Sequence, residues 1–168
     1  MKSIFKLLVA AFLTVAPLTI SAQSNVAHIN VQQLISEMPE VIAAQNELAK
    51  LEKDYTTQID NAFEEFQTKA QSYSSDAANQ TDVTNQARQK ELESMQTNLQ
   101  EFRDSAAQEL QKKQMDLMTP LLEKARNAIT KVGEEQGFNY VIDSSPNGGI
   151  ILANGKDLLA DVKKELGF

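Results

Sequence analysis

The segment from Leu48 to Tyr73 reads LAKLEKDYTTQIDNAFEEFQTKAQSY and carries apolar side chains at a helical spacing. Its apolar positions are Leu48, Leu51, Tyr55, Ile59, Phe63, Phe66, Ala70 and Tyr73. They advance by about 3.6 residues per step, the period of an α-helix, and so form one stripe along it. No glycine interrupts the chain between residues 39 and 132. The sequence therefore predicts a long amphipathic helix whose apolar face needs a partner.

The same stripe resumes beyond residues 72–82, a polar break rich in Ser, Asn and Asp. If two helices run antiparallel from a tip in this break, the numbers of facing residues have a constant sum. Tyr55 and Phe102 add to 157, and Ile59 and Leu99 add to 158. We therefore predict a helical-hairpin arm over residues 39–119 with its tip near residues 74–82. Its predicted core consists of Leu48, Leu51, Tyr55, Ile59, Phe63, Phe66, Leu92, Met95, Leu99, Phe102 and Leu110.

Two prolines fall level with each other at the base of this hairpin. Pro39 suits the first turn of a helix, where its missing N–H is not needed. Pro120 lies inside a continuous helical pattern, where it removes a backbone hydrogen bond and favours a kink. Pro39 and Pro120 are therefore candidate hinge residues, against the alternative that Pro120 is a tolerated kink without a role.

The first 22 residues have the pattern of a secretory signal peptide. Lys2 and Lys6 give a basic start, residues 7–15 form an apolar run, and the small residues Ser21 and Ala22 precede a cleavage point before Gln23. The apolar run is shorter than the ~20 residues that a membrane-spanning helix needs. We expect an exported, periplasmic protein that is soluble once residues 1–22 are removed.

The remaining residues, 23–38 and 120–168, have a sequence pattern that predicts a small body with strands. Residues 26–30, 138–143 and 149–153 are predicted strands, with a turn at 144–148 that contains Pro and Asn-Gly. Residues 156–166 predict a closing helix that stops at Gly167. The predicted fold class is α+β and mostly α, with a three-strand body that carries the long arm.

Composition argues against most enzyme classes and cofactors. The chain has one His and no Cys, so thiolate nucleophiles, disulfides and zinc sites of the usual type are hard to build. Its carboxylate pairs are spread along helices without an apolar pocket, which is typical of a solvated face. With 16 Lys and Arg against 23 Asp and Glu, the net charge of −7 gives no electrostatic reason to expect nucleic acid. We predict no cofactor and no catalytic or metal site.

The small body predicts association between copies of the chain. Without the arm, about 65 residues remain, which is too few for a self-sufficient core without disulfides or metal. The predicted strands are apolar on both faces, and a sheet of three strands leaves two edges unpaired. Closed association of several copies would cover both.

The chain resembles the Skp/OmpH family of periplasmic chaperones. The resemblance rests on Met38-Pro39-Glu40 opening a charged hairpin, on residues 140–143 (YVID) and 149–152 (GIIL), and on residues 154–158 (NGKDL) and 163–167 (KKELG). It implies a homotrimer whose strands form a barrel-like body and whose three arms enclose a cavity. It also implies a holdase that keeps unfolded outer-membrane proteins from aggregating, without ATP.

Within the fold that the resemblance implies, the sequence offers candidate residues for two roles. The trimer body would include Ile29, Phe138, Tyr140, Ile142, Ile150 and Leu152. The candidate client contacts are the apolar residues off the seam, namely Ala44, Ala62, Ala107 and Met115. They form no large patch, so client contacts are expected to be weak and distributed.

The charge of the arm departs from the strongly basic arms of the best-known members. Residues 40–118 contain eight Lys and Arg against fifteen Asp and Glu. This argues against client capture by basic arms. The basic residues Lys69, Arg88 and Lys90 are too few to predict binding to lipopolysaccharide or a membrane surface. The alternative function is a periplasmic coiled-coil spacer or adaptor protein.

Overall fold

The computed structural model describes residues 25–146 and 148–168. In chain order the elements are β1 (Val26–Ile29), α1 (Val31–Glu37), α2 (Pro39–Asp76), a 3₁₀ turn (Ala77–Asn79), α3 (Asp82–Glu135), β2 (Tyr140–Asp143), β3 (Lys156–Asp157) and α4 (Leu159–Leu166). The predicted signal peptide, residues 1–22, lies outside the described residues. None of the helices among the described residues is both long enough and apolar enough to cross a membrane.

Two long antiparallel helices, α2 and α3, dominate the molecule. Pro39 is the first residue of α2, where a proline costs no hydrogen bond. The chain reverses through the 3₁₀ turn Ala77–Asn79, and the Thr81 side chain then caps α3 by accepting a hydrogen bond from the Thr84 backbone N–H at 3.2 Å. At about 1.5 Å per residue, the 38 residues of α2 give an arm about 57 Å long.

A parallel sheet of three short strands, in the order β2-β1-β3, closes the base of the arm. Successive residues of a strand point to opposite faces. Ala27 and Ile29 of β1 face the helices and belong to the buried core, and Val141 of β2 packs against that core. The rest of the core comes from α1, the base of α2 and α3, and α4: Leu34, Met38, Val41, Ala125, Ala128, Val132, Leu158 and Val162.

The third strand is not where the sequence predicts it. Residues 149–153 are not a strand in this chain, and β3 is formed by Lys156 and Asp157, which pair with Ala27 and His28. Because β2 and β3 are parallel and flank β1, the connection between them must cross the sheet and cannot be a tight hairpin. The closing helix correspondingly begins at Leu159. The backbone N–H of Leu159 donates a hydrogen bond to Asp157 Oδ1 at 2.9 Å. The α+β fold class, with its three strands and long helical arm, is confirmed.

Candidate functional site

The seam between α2 and α3 uses the predicted apolar stripe. Tyr55 and Phe102, predicted to face each other, meet edge to face with ring centroids 6.0 Å apart. Leu99 is buried. The other stripe residues, apart from Phe63, are half-buried: Leu48, Leu51, Tyr55, Ile59, Phe66, Leu92, Met95, Phe102 and Leu110. Half-burial is expected here, because two helices bury one stripe between them and leave its flanks in water.

Phe63 departs from its predicted place in the hairpin core. Its side chain is 40% exposed, stacks on Phe66 with centroids 6.5 Å apart, and lies 5.9 Å from the Arg103 guanidinium. It therefore sits at the edge of the seam rather than inside it. Its prediction as a hairpin-core residue is therefore not supported by its exposure.

Ion pairs link the two helices along the length of the arm. Lys124 and Glu40 pair at 2.6 Å near the base, Lys113 and Glu47 at 2.7 Å, and Lys69 and Glu91 at 2.7 Å toward the tip. Tyr55 OH also donates to Glu109. Exposed pairs of this kind contribute little stability individually, but they select one register of the two helices.

A polar network encloses the last turns before the tip. Glu91 accepts from Lys69 Nζ at 2.7 Å and from Tyr73 OH at 2.7 Å, and both bonds lower the pKa of Glu91. Arg88 lies 4.7 Å from the Tyr73 ring centroid and donates to Asp76 at 3.1 Å, which lowers the pKa of Asp76. Arg88 is thereby held within this network through Nη2, while its buried Nη1 has no hydrogen-bond partner among the described residues.

The four candidate client contacts do not share one environment. Met115 and Ala107 are exposed on α3, and Ala62 is half-buried on α2. Ala44 is only 6% exposed, so its prediction as a client contact is wrong. It follows buried Val41 by three residues and so lies on the same buried face of α2.

The candidate hinge residues lie at the two ends of the arm base. Pro39 follows Met38, whose extended backbone precedes α2. Pro120 lies inside α3, which is helical on both sides of it. Their role as hinges stays a prediction.

A groove of about 890 Å³ lies between β2 and the base of α3. Its lining includes Phe138 and Tyr140 from the sheet side and Leu122, Arg126 and Ile129 from α3. Leu122 was not among the predicted site residues, although the doublet Leu121-Leu122 was a signal: the two side chains point about 100° apart on the helix, so a face centred on one leaves the other at its edge. Leu121 packs against the core, so Leu122 faces outward.

The predicted body residues divide between core and surface. Ile29 is buried in the core of the chain, and Phe138 is half-buried. Tyr140 is 63% exposed and Leu152 is 75% exposed, while Ile142 and Ile150 are also exposed. Ile151, which the sequence analysis did not single out, is fully exposed.

Asp143 anchors the loop that follows β2. Its Oδ1 accepts from Ser145 Oγ at 2.6 Å, from the Ser145 backbone N–H at 2.9 Å and from the Val31 N–H at 3.3 Å. Burial acts to raise the pKa of Asp143, but these bonds outweigh it and the pKa lies below its ordinary value. The network joins the loop to the start of α1. Among the described residues, no three His, Asp or Glu side chains cluster as metal ligands would.

These features define a class of protein in which a long two-helix arm stands on a small parallel sheet. The chain belongs to the OmpH-like outer membrane protein family, whose family model matches residues 25–166, and the predicted resemblance is confirmed.

Individual relatives agree with this assignment. The chain is 28% identical over 148 residues to the chaperone protein Skp of Yersinia enterocolitica, covering 85% of this chain and 86% of that one. It is 20% identical over 151 residues to the chaperone protein Skp of Pectobacterium atrosepticum, covering 90% of each. It also resembles the crystal structure of a candidate OmpH-like outer membrane chaperone from Caulobacter crescentus CB15. There the TM-score is 0.76 at 12% identity, over 86% of this chain and 85% of the other.

Proposed function

We propose that this protein is an ATP-independent periplasmic holdase that binds unfolded outer-membrane proteins and keeps them from aggregating in transit. Family membership supports a chaperone of outer-membrane proteins in general, and the family is not one of enzymes. The observation that carries the finer proposal is the arm: two antiparallel helices, of which α2 is about 57 Å long, that project from a small body and present a mostly polar surface.

The surface of the arm suits weak and distributed contacts. Met115 lies opposite the seam, because its neighbours at 113 and 117, about 200° around the helix, are half-buried. Ala107 and the Phe63 ring add small exposed apolar areas elsewhere. Contacts this small cannot order a client, but many of them within an enclosed space can hold it while it stays unfolded.

Enclosure requires several arms, and we propose a homotrimer. The body supports this through its exposed apolar residues, since a monomer rarely leaves side chains such as Tyr140, Ile151 and Leu152 together in water. In a trimer the bodies would associate and the three arms would project from them around a shared cavity. Delivery to the periplasm is proposed from the signal-peptide pattern of residues 1–22.

The first experiment is aggregation suppression by residues 23–168, with no nucleotide present. An unfolded outer-membrane barrel protein is diluted from urea, and light scattering is followed with and without the protein. We expect suppression to saturate at about one trimer per client and to be unchanged by added ATP. Undiminished scattering at a severalfold excess would overturn the holdase assignment and favour the spacer or adaptor.

The second experiment tests the arm surface. The double variant Ala107→Asp and Met115→Asp replaces exposed apolar area by charge, and we expect client affinity to fall by roughly threefold to tenfold. The double variant Gln108→Asp and Gln114→Asp is the matched control, because it adds the same two charges at exposed positions next to Ala107 and Met115 and removes no apolar residue. Equal effects of the double variant and of the control would mean that the apolar contacts are not used.

A further inference from the structure

A notch opens on one flank of the seam between α2 and α3, between the base of the arm and its tip. Its volume is about 440 Å³, and the buried side chain of Leu99 is part of its lining. The Phe63 and Phe66 rings line it from α2, and Arg103 lines it from α3. The notch is thus an apolar recess with a cation beside it, and its size lies within the range of about 300–1,000 Å³ that ligand sites have.

The Phe63 ring is an aromatic surface that the arm itself does not cover. It is 40% exposed, whereas Leu99 in the same notch is 8% exposed. It stacks on Phe66 with an angle of 22° between the ring planes. Rings that are already packed lose little freedom when a partner binds, and a third ring can add to them in an offset or edge-to-face arrangement. The notch is therefore preformed for an aromatic side chain.

Arg103 is a cation without an acidic partner in an acidic arm. The positions three and four residues away on α3, at 99, 100, 106 and 107, carry Leu, Gln, Ala and Ala, so its own helix offers no carboxylate. No ion pair joins Arg103 to any other described residue. Its guanidinium lies 5.9 Å from the centroid of the Phe63 ring. Its N–H donors are therefore available to a carboxylate of a bound partner.

The spacing between ring and cation fits an extended peptide. In an extended chain, residues i and i+2 point to the same side and lie about 6.6 Å apart. The 5.9 Å between the Arg103 guanidinium and the Phe63 centroid is close to this spacing. An aromatic side chain of an unfolded chain can therefore stack in the notch while a carboxylate two residues away reaches Arg103. Charge complementarity favours Asp or Glu at that second position over Lys or Arg.

We propose that the notch formed by Phe63, Phe66, Leu99 and Arg103 binds one aromatic side chain of an unfolded client, with an acidic residue two positions away on the Arg103 guanidinium. This inference rests on the holdase function proposed above and names the client segment that the arm selects. The rings supply most of the contact, because an exposed ion pair contributes little binding free energy. A client with many such segments is held by weak contacts that exchange with one another.

The first test uses a short peptide and needs no label, because the chain has no Trp. The capped peptide GSWSESG carries one Trp with Glu two residues on, and its Trp emission is followed as residues 23–168 are added. We expect a blue shift that saturates, and the peptide with Gln in place of Glu should bind about twofold to threefold more weakly. The peptide with Leu in place of Trp should compete roughly fivefold more weakly. No saturable binding at millimolar concentrations of the chain would overturn the site.

Two variants assign the binding to the notch. Phe63→Ala should weaken peptide binding about fivefold, and Arg103→Gln should remove the preference for Glu over Gln. Phe63→Leu keeps apolar contact with the seam but not the ring, so it should weaken the peptide as well, with helicity retained. The matched controls are Val83→Ala, an exposed apolar residue at the arm tip, and Lys90→Gln, an exposed cation elsewhere on α3. Effects of the controls as large as those of the notch variants would overturn the assignment.

The second test finds the client segment directly. The chain has no Cys, so Gln100→Cys places a single thiol in the lining of the notch, and Lys90→Cys places one closer to the tip. Each is labelled with a benzophenone maleimide and illuminated with an unfolded outer-membrane barrel protein bound. Cross-links from Gln100→Cys should concentrate near aromatic residues that have Asp or Glu two positions away, unlike those from Lys90→Cys. The same even spread of cross-links from both thiols would overturn the proposed occupant.

The notch and the holdase function fail in different ways. A wild-type chain that suppresses aggregation but binds neither peptide removes only the notch as a site. A wild-type chain that binds the peptide, and loses it on Phe63→Ala, supports the notch even where aggregation of the barrel client is undiminished, and that last result removes the holdase function.

Discussion

Gly133 of α3 lies so close to Val141 of β2 that a Cβ added at Gly133 would come within 2.8 Å of Val141 Cγ2. Helix α3 and the sheet therefore touch at a position where no side chain fits, which brings β2 close against the base of this helix. Val141 cannot yield easily, because a β-branched side chain is stiff at χ1.

Gly133→Ala is expected to lower the free energy of unfolding by about 1 kcal/mol. The crowding costs about 1–3 kcal/mol, and the better helix propensity of Ala returns up to about 1 kcal/mol. Urea unfolding at one fixed protein concentration measures the difference. In a Val141→Ala background the clash is gone, so the same substitution should become neutral or stabilising. A stabilising effect with Val141 present would contradict the packing described.

The network at the tip of the arm predicts a loss of order in acid. The pKa of Glu91 is lowered by hydrogen bonds from Lys69 and Tyr73, so its contribution to stability is complete above the ordinary carboxylate pKa, about 4.3. It is lost as the pH falls through the lower value that Glu91 has in the folded arm. Tip stability should therefore be flat near neutrality and decline below about pH 4.

Glu91→Gln separates this contribution from the rest of the arm. We expect amide protection factors around residues 70–95 to fall by about twofold to fivefold at pH 7 and to change less with pH than in the wild type. Glu93→Gln is the control, because the Glu93 carboxylate accepts from Gln89 of its own helix and makes no bond across the seam to any described residue. An identical response of the two variants would show that the bonds across the seam add nothing.

The arm could be predicted from sequence because its information is periodic and local. A spacing of about 3.6 residues identifies the helices. Because the residue numbers of facing positions have a constant sum, the sequence also predicts that Tyr55 faces Phe102, as the structure shows. The same periodicity could not place Phe63 or Ala44 correctly. Both lie near the boundary between seam and surface, where a small rotation of the helix decides exposure.

The body was harder to predict because its pairing is not local. The Asn-Gly turn and the apolar residues 149–153 indicate a hairpin, yet the parallel pairing of β1 with β2 and β3 joins residues more than a hundred positions apart. Lys156 and Asp157 carry no strand pattern of their own. They pair because β1 has an open edge beside them, and the apolar segment that the sequence predicted as a strand stays exposed.

Pro120 offers a test of the hinge prediction. Pro120→Ala restores a backbone N–H within α3 and should raise the free energy of unfolding by up to about 3 kcal/mol. If Pro120 is a hinge, the distance distribution between spin labels at Val83→Cys and Lys164→Cys should also narrow, in samples diluted with unlabelled chain. Thr119→Ala is the neighbouring control. A stabilised variant with an unchanged distribution would mean that the arm does not bend at this residue.

The acidic arm predicts how client binding depends on salt. Between residues 40 and 118 there are fifteen Asp and Glu against eight Lys and Arg, so long-range attraction of an acidic client is absent and mild repulsion replaces it. Raising the ionic strength from about 0.05 to 0.3 M shortens the screening length and should leave the affinity for an acidic unfolded barrel unchanged or up to about threefold tighter. Fluorescence anisotropy of a labelled client in urea-free buffer measures this change in affinity.

A variant with Glu64, Glu65 and Glu101 changed to Gln should show a smaller salt effect, because its arm repels an acidic client less. Affinity that weakens steeply with salt in the wild-type protein would mean that the few basic side chains, and not the apolar surface, hold the client.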